Sequence, residues 1–144
     1  MLANYANDPT FSDQAKCKET ALGQIEKGSQ AVFQVAGGCG LGALSAAKEA
    51  KIWGIGVDAD QRYLGPHIMT SALKRVNVAV QDLTRLAYAG NLKTGGDYTY
   101  SLKNNGVGLG SVSPKISKAF VAKTKAIATL IGEGKIVVKP VVKF

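Results

Sequence analysis

Three stretches of the chain carry groups suited to gripping a small polar ligand. Residues 7–13 hold the aromatic Phe11 among polar neighbours. Gly37-Gly38-Cys39-Gly40-Leu41-Gly42 is a glycine run between an apolar segment and a small-residue segment. Glycine lets a backbone approach a ligand closely, and the start of a helix offers free N–H donors. The run is not a phosphate-binding Walker loop, since no Lys-Ser/Thr follows, and from Gly38 it reads GxGxG, not GxGxxG. Two uses stay open for it: lining a ligand, or tight helix–sheet packing. The third stretch is Asp58-Ala59-Asp60-Gln61. Asp58 lies twenty residues beyond Gly38, where dinucleotide folds place a carboxylate on ribose hydroxyls. An ionised carboxylate accepts two hydroxyl hydrogen bonds at once, so a cis-diol suits it. Helix capping or turn formation is the competing use of both aspartates.

The same inventory argues against catalysis. His67 is the only histidine, no nucleophile–base pair is recognisable, and no metal cluster or cofactor is expected. Cys17 and Cys39 have no CxxC spacing and are too few for a disulfide scaffold, so neither is expected to be functional. The net charge of +8 is uneven: residues 101–144 carry eight basic side chains and one acidic. The arginines are scattered at 62, 75 and 85, and no aromatics are interleaved at the surface spacing that single-strand binders use. The pattern therefore reads as a solvated lysine face, with no nucleic-acid partner.

The elements that must position these groups alternate. With 144 residues and 46% hydrophobic side chains, the chain suits one domain with a sizeable core. Residues 2–6 read as a strand. Asp13 caps a helix running to about Lys27, with Ala15, Ala21, Leu22 and Ile25 inward and Gly28 as its stop. Residues 31–35 and 52–57 read as strands flanking a small-residue helix over 41–50. Strand–helix–strand units imply parallel pairing, which brings the three ligand-gripping stretches to one sheet edge. Beyond these, 67–70 reads as a short strand and 71–89 as a helix with Leu73, Val76, Val80, Leu83 and Leu86 at helical spacing. Residues 98–102 read as a strand, Ser113-Pro114 as a helix start, and 136–138 as a closing strand. No apolar run is long enough to span a membrane, and the first residues show no charged signal-peptide start, so no signal or anchor is expected in the chain itself.

Taken in order, Val35-Ala36-Gly37-Gly38-Cys39-Gly40-Leu41-Gly42, Ile55-Gly56-Val57-Asp58-Ala59-Asp60-Gln61, Tyr63-Leu64-Gly65-Pro66, Thr70-Ser71-Ala72-Leu73-Lys74-Arg75-Val76 and Gly106-Val107-Gly108-Leu109 resemble the basic membrane lipoprotein family. Those are substrate-binding proteins of ABC transporters, among them purine nucleoside receptors. The resemblance implies an α/β fold, one lobe of a type I periplasmic binding protein. The expectation is a parallel sheet with helices on both faces in the flavodoxin-like order 2-1-3-4-5, and a single lobe over 1–144 in which 71–96 resembles the inter-lobe crossing. It implies that Phe11 stacks on a base, that Gly37 and Gly38 line the pocket, that Asp58 binds ribose hydroxyls and that Lys74 reaches the sugar. The implied partners are a purine nucleoside, an ABC permease, and either a missing N-terminal lobe or a second copy of the chain. The implied setting is extracytoplasmic, on a membrane-anchored lipoprotein. The alternatives are a nucleotide- or dinucleotide-binding α/β module, or an isolated lobe with no ligand. The match covers only the family's C-terminal half, and Cys17 and Cys39 stand where that family usually has small or hydroxyl residues.

Overall fold

The computed structural model describes residues 3–138, so Leu2 of the first expected strand lies outside it. The chain divides into two compact units. The first runs to Leu73 and takes back Leu109–Ser113; the second comprises Lys74–Gly108 and the chain from Pro114 on.

In the first unit, α1 (Gln14–Glu26) starts where Asp13 accepts from the N–H groups of Ala15 and Lys16. That side-chain cap satisfies donors the first turn cannot pair internally. Gly28, at φ +91°, turns the chain out of the helix. Strand β1 (Ala31–Phe33) follows, then a single 3-10 turn (Gly37–Cys39) and α2 (Gly40–Glu49). Strand β2 (Trp53–Asp58) pairs parallel with β1, and β3 (Ile68–Lys74) pairs parallel with β2. The core joins α1, β1 and α2 through Cys17, Ala21, Val32, Cys39, Ala43, Ala46 and Ala47. Alanines on α2 keep its axis close to the sheet. Gly54 does the same from β2: a Cβ there would lie 2.9 Å from Leu44 and 3.1 Å from Ile68, both fully buried. Burying one such side chain contributes roughly 1.5–3 kcal/mol.

The second unit holds α3 (Val76–Tyr88), the extended segment leading into β4 (Val107–Leu109), and α4 (Lys118–Gly132). Tyr100 donates its hydroxyl to Asp82 at 3.0 Å, tying that segment to α3, and Arg75 bonds to Asn105. No residue of α3 or α4 is buried.

Several expectations need correction. The sheet has four strands in the order β1-β2-β3-β4, not 2-1-3-4-5. Residues 3–6 form no strand; three of the four are Ala or Asn, poor strand formers, and β1 pairs directly with β2. The sheet is mixed, not all parallel. Arg75 N–H bonds the Gly106 carbonyl and Gly110 N–H the Ser71 carbonyl, so β4 runs opposite to β3. Residues 71–74 belong to β3, because Ser71, Ala72 and Leu73 find ladder partners in Gly56, Val57 and Asp58. Residues 98–102 and 136–138 are not strands. In the former, Asn104 bonds the Thr99 carbonyl and the Ser101 N–H within a turn. The last helix is capped by Ser117, which accepts from the Phe120 N–H, and not by Ser113. Ser113 is buried, with its N–H on the Met69 carbonyl. The two cysteines are also paired: Cys17 and Cys39 form a disulfide with their Cα atoms 5.5 Å apart.

Candidate functional site

The loop before α1 is organised by Asp8. Its carboxylate accepts from the N–H and hydroxyl of Thr10 (3.0 and 2.6 Å) and from the N–H groups of Ser12 and Asp13 (both 2.7 Å). These donors, the Thr10 hydroxyl first and the Asp13 N–H next, hold its pKa down at about 2. Wrapped over this carboxylate, Phe11 takes φ +53°. That left-handed region is uncommon for a bulky aromatic residue and persists only where the surroundings enforce it. Two restraints do so. The Phe11 N–H bonds the Asp8 carbonyl at 3.3 Å, and the Phe11 carbonyl accepts from the Cys39 N–H at 2.9 Å. The ring itself is 60% exposed.

The Cys39 bond places Phe11 against the glycine run. Gly37 sits at φ +55°, and a Cβ there would press on the Phe11 Cβ and carbonyl at 3.2 Å. At Gly38 a Cβ would meet the Phe11 carbonyl only at an ordinary 3.4 Å. Residue 37 is therefore glycine because of its left-handed backbone and because the Phe11 loop crosses it. Gly40 and Gly42 serve packing: a Cβ on the first would run into the Gln34 side chain, and on the second into the Gln14 carbonyl. Of the two open uses of the run, packing is the one seen here, at Gly40 and Gly42 against the sheet and α1 and at Gly37 against the Phe11 loop.

Phe11 and this turn border a cavity of about 440 Å³, lined also by residues 4–9, Val35, Ala36 and the two half-cystines. It opens past the carboxyl end of β1. Asp58 ends the neighbouring parallel strand, at φ +66°, and does not line that cavity. Aspartate tolerates this left-handed conformation better than most residues. Lys74 is the last residue of β3, directly after Leu73, the register partner of Asp58, and it is the first residue of the second unit. Of the expected site residues, Phe11 alone lines this cavity; Gly37 and Gly38 lie behind it against the Phe11 backbone, and Asp58 stands at the adjacent strand end.

Sequence reasoning missed two supports. Asp8 is one, although Asp-Pro-Thr-x-Ser is a readable side-chain-to-backbone turn pattern. The second is Gln61, whose Oε1 accepts from the Val57 N–H and from the Gln34 amide, both at 3.0 Å, while its own N–H bonds the buried Ser71 hydroxyl. Gly56 makes room for this knot, since a Cβ would sit 2.6 Å from both Gln61 and Ser71. Asp60 takes the turn-forming use weighed for it in sequence, accepting from the Ser111 N–H at 2.9 Å and the Arg62 N–H at 3.2 Å. Ser111, ahead of Arg62, lowers the Asp60 pKa. These bonds fix the carboxyl end of β2.

The family model for PnrA-like ABC transporter substrate-binding proteins, named Bmp, matches residues 3–140. The ABC transporter nucleoside-binding protein BmpA of Lactococcus lactis subsp. cremoris is 40% identical over 90% of this chain and 41% of its own length. The CD4+ T-cell-stimulating antigen of Listeria monocytogenes is 34% identical over 92% of this chain and 41% of its own. The chain thus spans about two fifths of the length of these curated relatives. Among solved structures, an ABC transporter solute-binding protein from Aeropyrum pernix superposes with a TM-score of 0.78 at 24% identity, over 96% of this chain and 48% of that one. A transcriptional activator of the comK gene from Bacillus halodurans superposes at 0.82 and 19% identity, over 90% and 46%. These likenesses establish the shared fold.

Proposed function

The chain belongs to the Bmp family of PnrA-like ABC transporter substrate-binding proteins, and on that premise we propose that it binds a purine nucleoside as one lobe of an ABC-type uptake receptor. Phe11 presents its exposed ring to the base, a stacking contact of order 1 kcal/mol or more. The Gly37–Gly38 backbone lets the ligand lie close to the turn, Asp58 accepts from the ribose hydroxyls, and Lys74 reaches the sugar. The observation that carries this reading is the Phe11 loop. A bulky aromatic in a left-handed conformation is clamped by the Asp8 carbonyl and the Cys39 N–H, with its side chain at the wall of the cavity. The name of the Lactococcus relative supports a nucleoside as the ligand class.

An extracytoplasmic location and a membrane permease as partner belong to the same proposal. A lipoprotein of Pyrococcus abyssi is 35% identical over 69% of this chain, and a disulfide suits an oxidising compartment. No helix among the described residues is long and apolar enough to cross a membrane. The test is mass spectrometry of small molecules released on denaturing the purified protein, followed by calorimetric titration with adenosine, guanosine and inosine. Release or binding of a purine nucleoside is the expected result; recovery of NAD or a nucleotide instead would overturn it.

A further inference from the structure

We propose that the Cys17–Cys39 disulfide is a positioning crosslink for Phe11, so that ligand affinity depends on whether that bond is oxidised. The ligand half of this statement rests on the nucleoside reading above.

The argument starts from where the two sulfurs sit. Cys17 lies on the first turns of α1, four residues after its cap Asp13. Cys39 closes the 3-10 turn directly after Gly37 and Gly38. Both half-cystines are nearly sealed from solvent, at 4% and 1% exposure, and both line the Phe11 cavity. The bond therefore joins the two anchors between which the aromatic loop hangs. At one end, the Ser12 and Asp13 N–H groups are tied to Asp8. At the other, the Cys39 N–H holds the Phe11 carbonyl at 2.9 Å. A left-handed phenylalanine costs of order 1–3 kcal/mol and persists only while its neighbours over-determine it. Releasing Cys39 from α1 removes one of those determinants. The loop then relaxes to ordinary backbone angles, and the ring leaves the cavity wall.

The chemistry balances with an external dithiol. Its thiolate attacks one sulfur and displaces the other as a thiolate. Its second thiol then resolves the mixed disulfide, so the protein gains two electrons and two protons as two thiols and the reductant leaves as a cyclic disulfide. Because binding linkage is reciprocal, a ligand that prefers the oxidised form must make the bond harder to reduce by the same factor.

The experiment compares the oxidised chain, the dithiothreitol-reduced chain and the Cys17→Ala/Cys39→Ala variant. Amide exchange is followed by mass spectrometry without ligand. Reduction is expected to speed exchange at least tenfold in peptides covering 7–13 and 37–42 while those covering 53–58 and 68–73 hold. Unchanged exchange at 37–42, or an equal rise everywhere, overturns the proposal, the latter because the bond would then brace the whole unit. With adenosine, guanosine or inosine, reduction is expected to weaken binding at least tenfold. Ligand saturation should lower the reduction potential by about 30 mV for each tenfold. Phe11→Ala should weaken the oxidised form more than the reduced one, a coupling that a purely structural bond would not produce. Affinity equal within twofold in both states overturns the proposal. If exchange rises locally but the oxidised chain binds none of the three nucleosides, the ligand reading falls and the disulfide's hold on Phe11 stands. Should the double variant fail to fold, the reduced wild-type chain decides alone.

Discussion

The two units of this chain use similar helices very differently. In the first, α1 and α2 bring cysteine and alanine side chains together over β1, and every buried apolar side chain of the described residues lies there. In the second, α3 carries a strong apolar stripe, yet Val76 and Val80 are more than half exposed and nothing on α3 or α4 is buried. Amphipathic spacing is thus present in both, and closure in only one. What separates them is the supply of small residues at points of approach. Ala43, Ala46, Ala47, Gly40, Gly42 and Gly54 allow backbones near one another in the first unit. In α3, Val and Leu dominate the apolar positions. Phe11, Gly37, Gly38 and Asp58 all belong to the closed unit.

The sharpest test of that contrast is truncation of one apolar side chain in each unit. Leu44→Ala is expected to lower stability by about 3 kcal/mol, since a fully buried leucine leaves a cavity. Val80→Ala, at 58% exposure, should cost less than about 0.5 kcal/mol. Urea denaturation measures both. A Val80 loss comparable to that of Leu44 would mean that the α3 stripe is covered in solution, by a second copy of the chain or by another segment. Dilution would distinguish the two.

Glycines give a second, smaller contrast. Gly42→Ala drives a methyl into the Gln14 carbonyl, a backbone atom that cannot swing aside, and should cost about 2 kcal/mol. Gly132→Ala, at the end of α4, meets only ordinary contacts at 3.8 Å and should be neutral or stabilising by up to about 0.5 kcal/mol. Equal losses would contradict the close approach assigned to the first unit.

For binding, Asp58→Asn keeps the side chain's shape and its tolerance of φ +66° while removing the charge. We expect nucleoside affinity to fall about 30-fold, near 2 kcal/mol, with the melting temperature unchanged within 2 °C. Lys74→Gln, in the second unit, should cost about fivefold, since a flexible ammonium acts as a point charge. Calorimetry on both variants ranks the two residues' shares. A Lys74 effect larger than that of Asp58 would reverse that ranking.

How much of this was legible in the sequence follows the range of each interaction. The Asp13 cap and the Gly28 stop depend on neighbours a few residues apart, and they were readable, whereas the strand expected over 31–35 ends at Phe33. The sheet order was not, because residues 3–6 offer a strand-like run but no ladder forms there. Leu73, Val76 and Val80 fit a helical period, yet Ser71–Leu73 gain more from pairing with Gly56–Asp58 than from a helix. Ser113 and Ser117 are both plausible caps in sequence, and only the Met69 carbonyl decides between them by claiming the Ser113 N–H. The disulfide is the largest omission. Its partners are 22 residues apart, and only the packing of α1 against the turn before α2 brings them within reach. At the site, the packing use of the glycine run was one of the two open in sequence, and it is the one the structure shows. Which glycine packs against what depends on Phe11, Gln14 and Gln34, none of them adjacent in sequence.

The smallest expected effect separates the ligand loop from the rest of the molecule by pH. Asp8 holds four hydrogen bonds, and its pKa is pulled down to about 2 from a model-compound value of 3.8. A carboxylate with a depressed folded-state pKa adds stability that is fully present above the unfolded value. That stability is lost as pH falls through the folded one. Above pH 4 the wild-type loop should therefore be insensitive to acid, and between pH 4 and pH 2 it should loosen as Asp8 takes up a proton. Asp8→Asn lacks the titrating group, so its loop should be looser at neutral pH and flat through the same window. Glu49 and Asp60 also have lowered values, so total stability falls for both proteins in acid. The informative quantity is the difference between wild type and variant. Chemical shifts of the Thr10, Ser12 and Asp13 amides report on the loop, and those of Tyr98 and Tyr100 report on the second unit. Convergence of the two proteins' loop shifts below pH 2, with the tyrosines unmoved, is the expected outcome. Parallel curves for wild type and Asp8→Asn across the window would mean that the Asp8 carboxylate does not hold Phe11 in place.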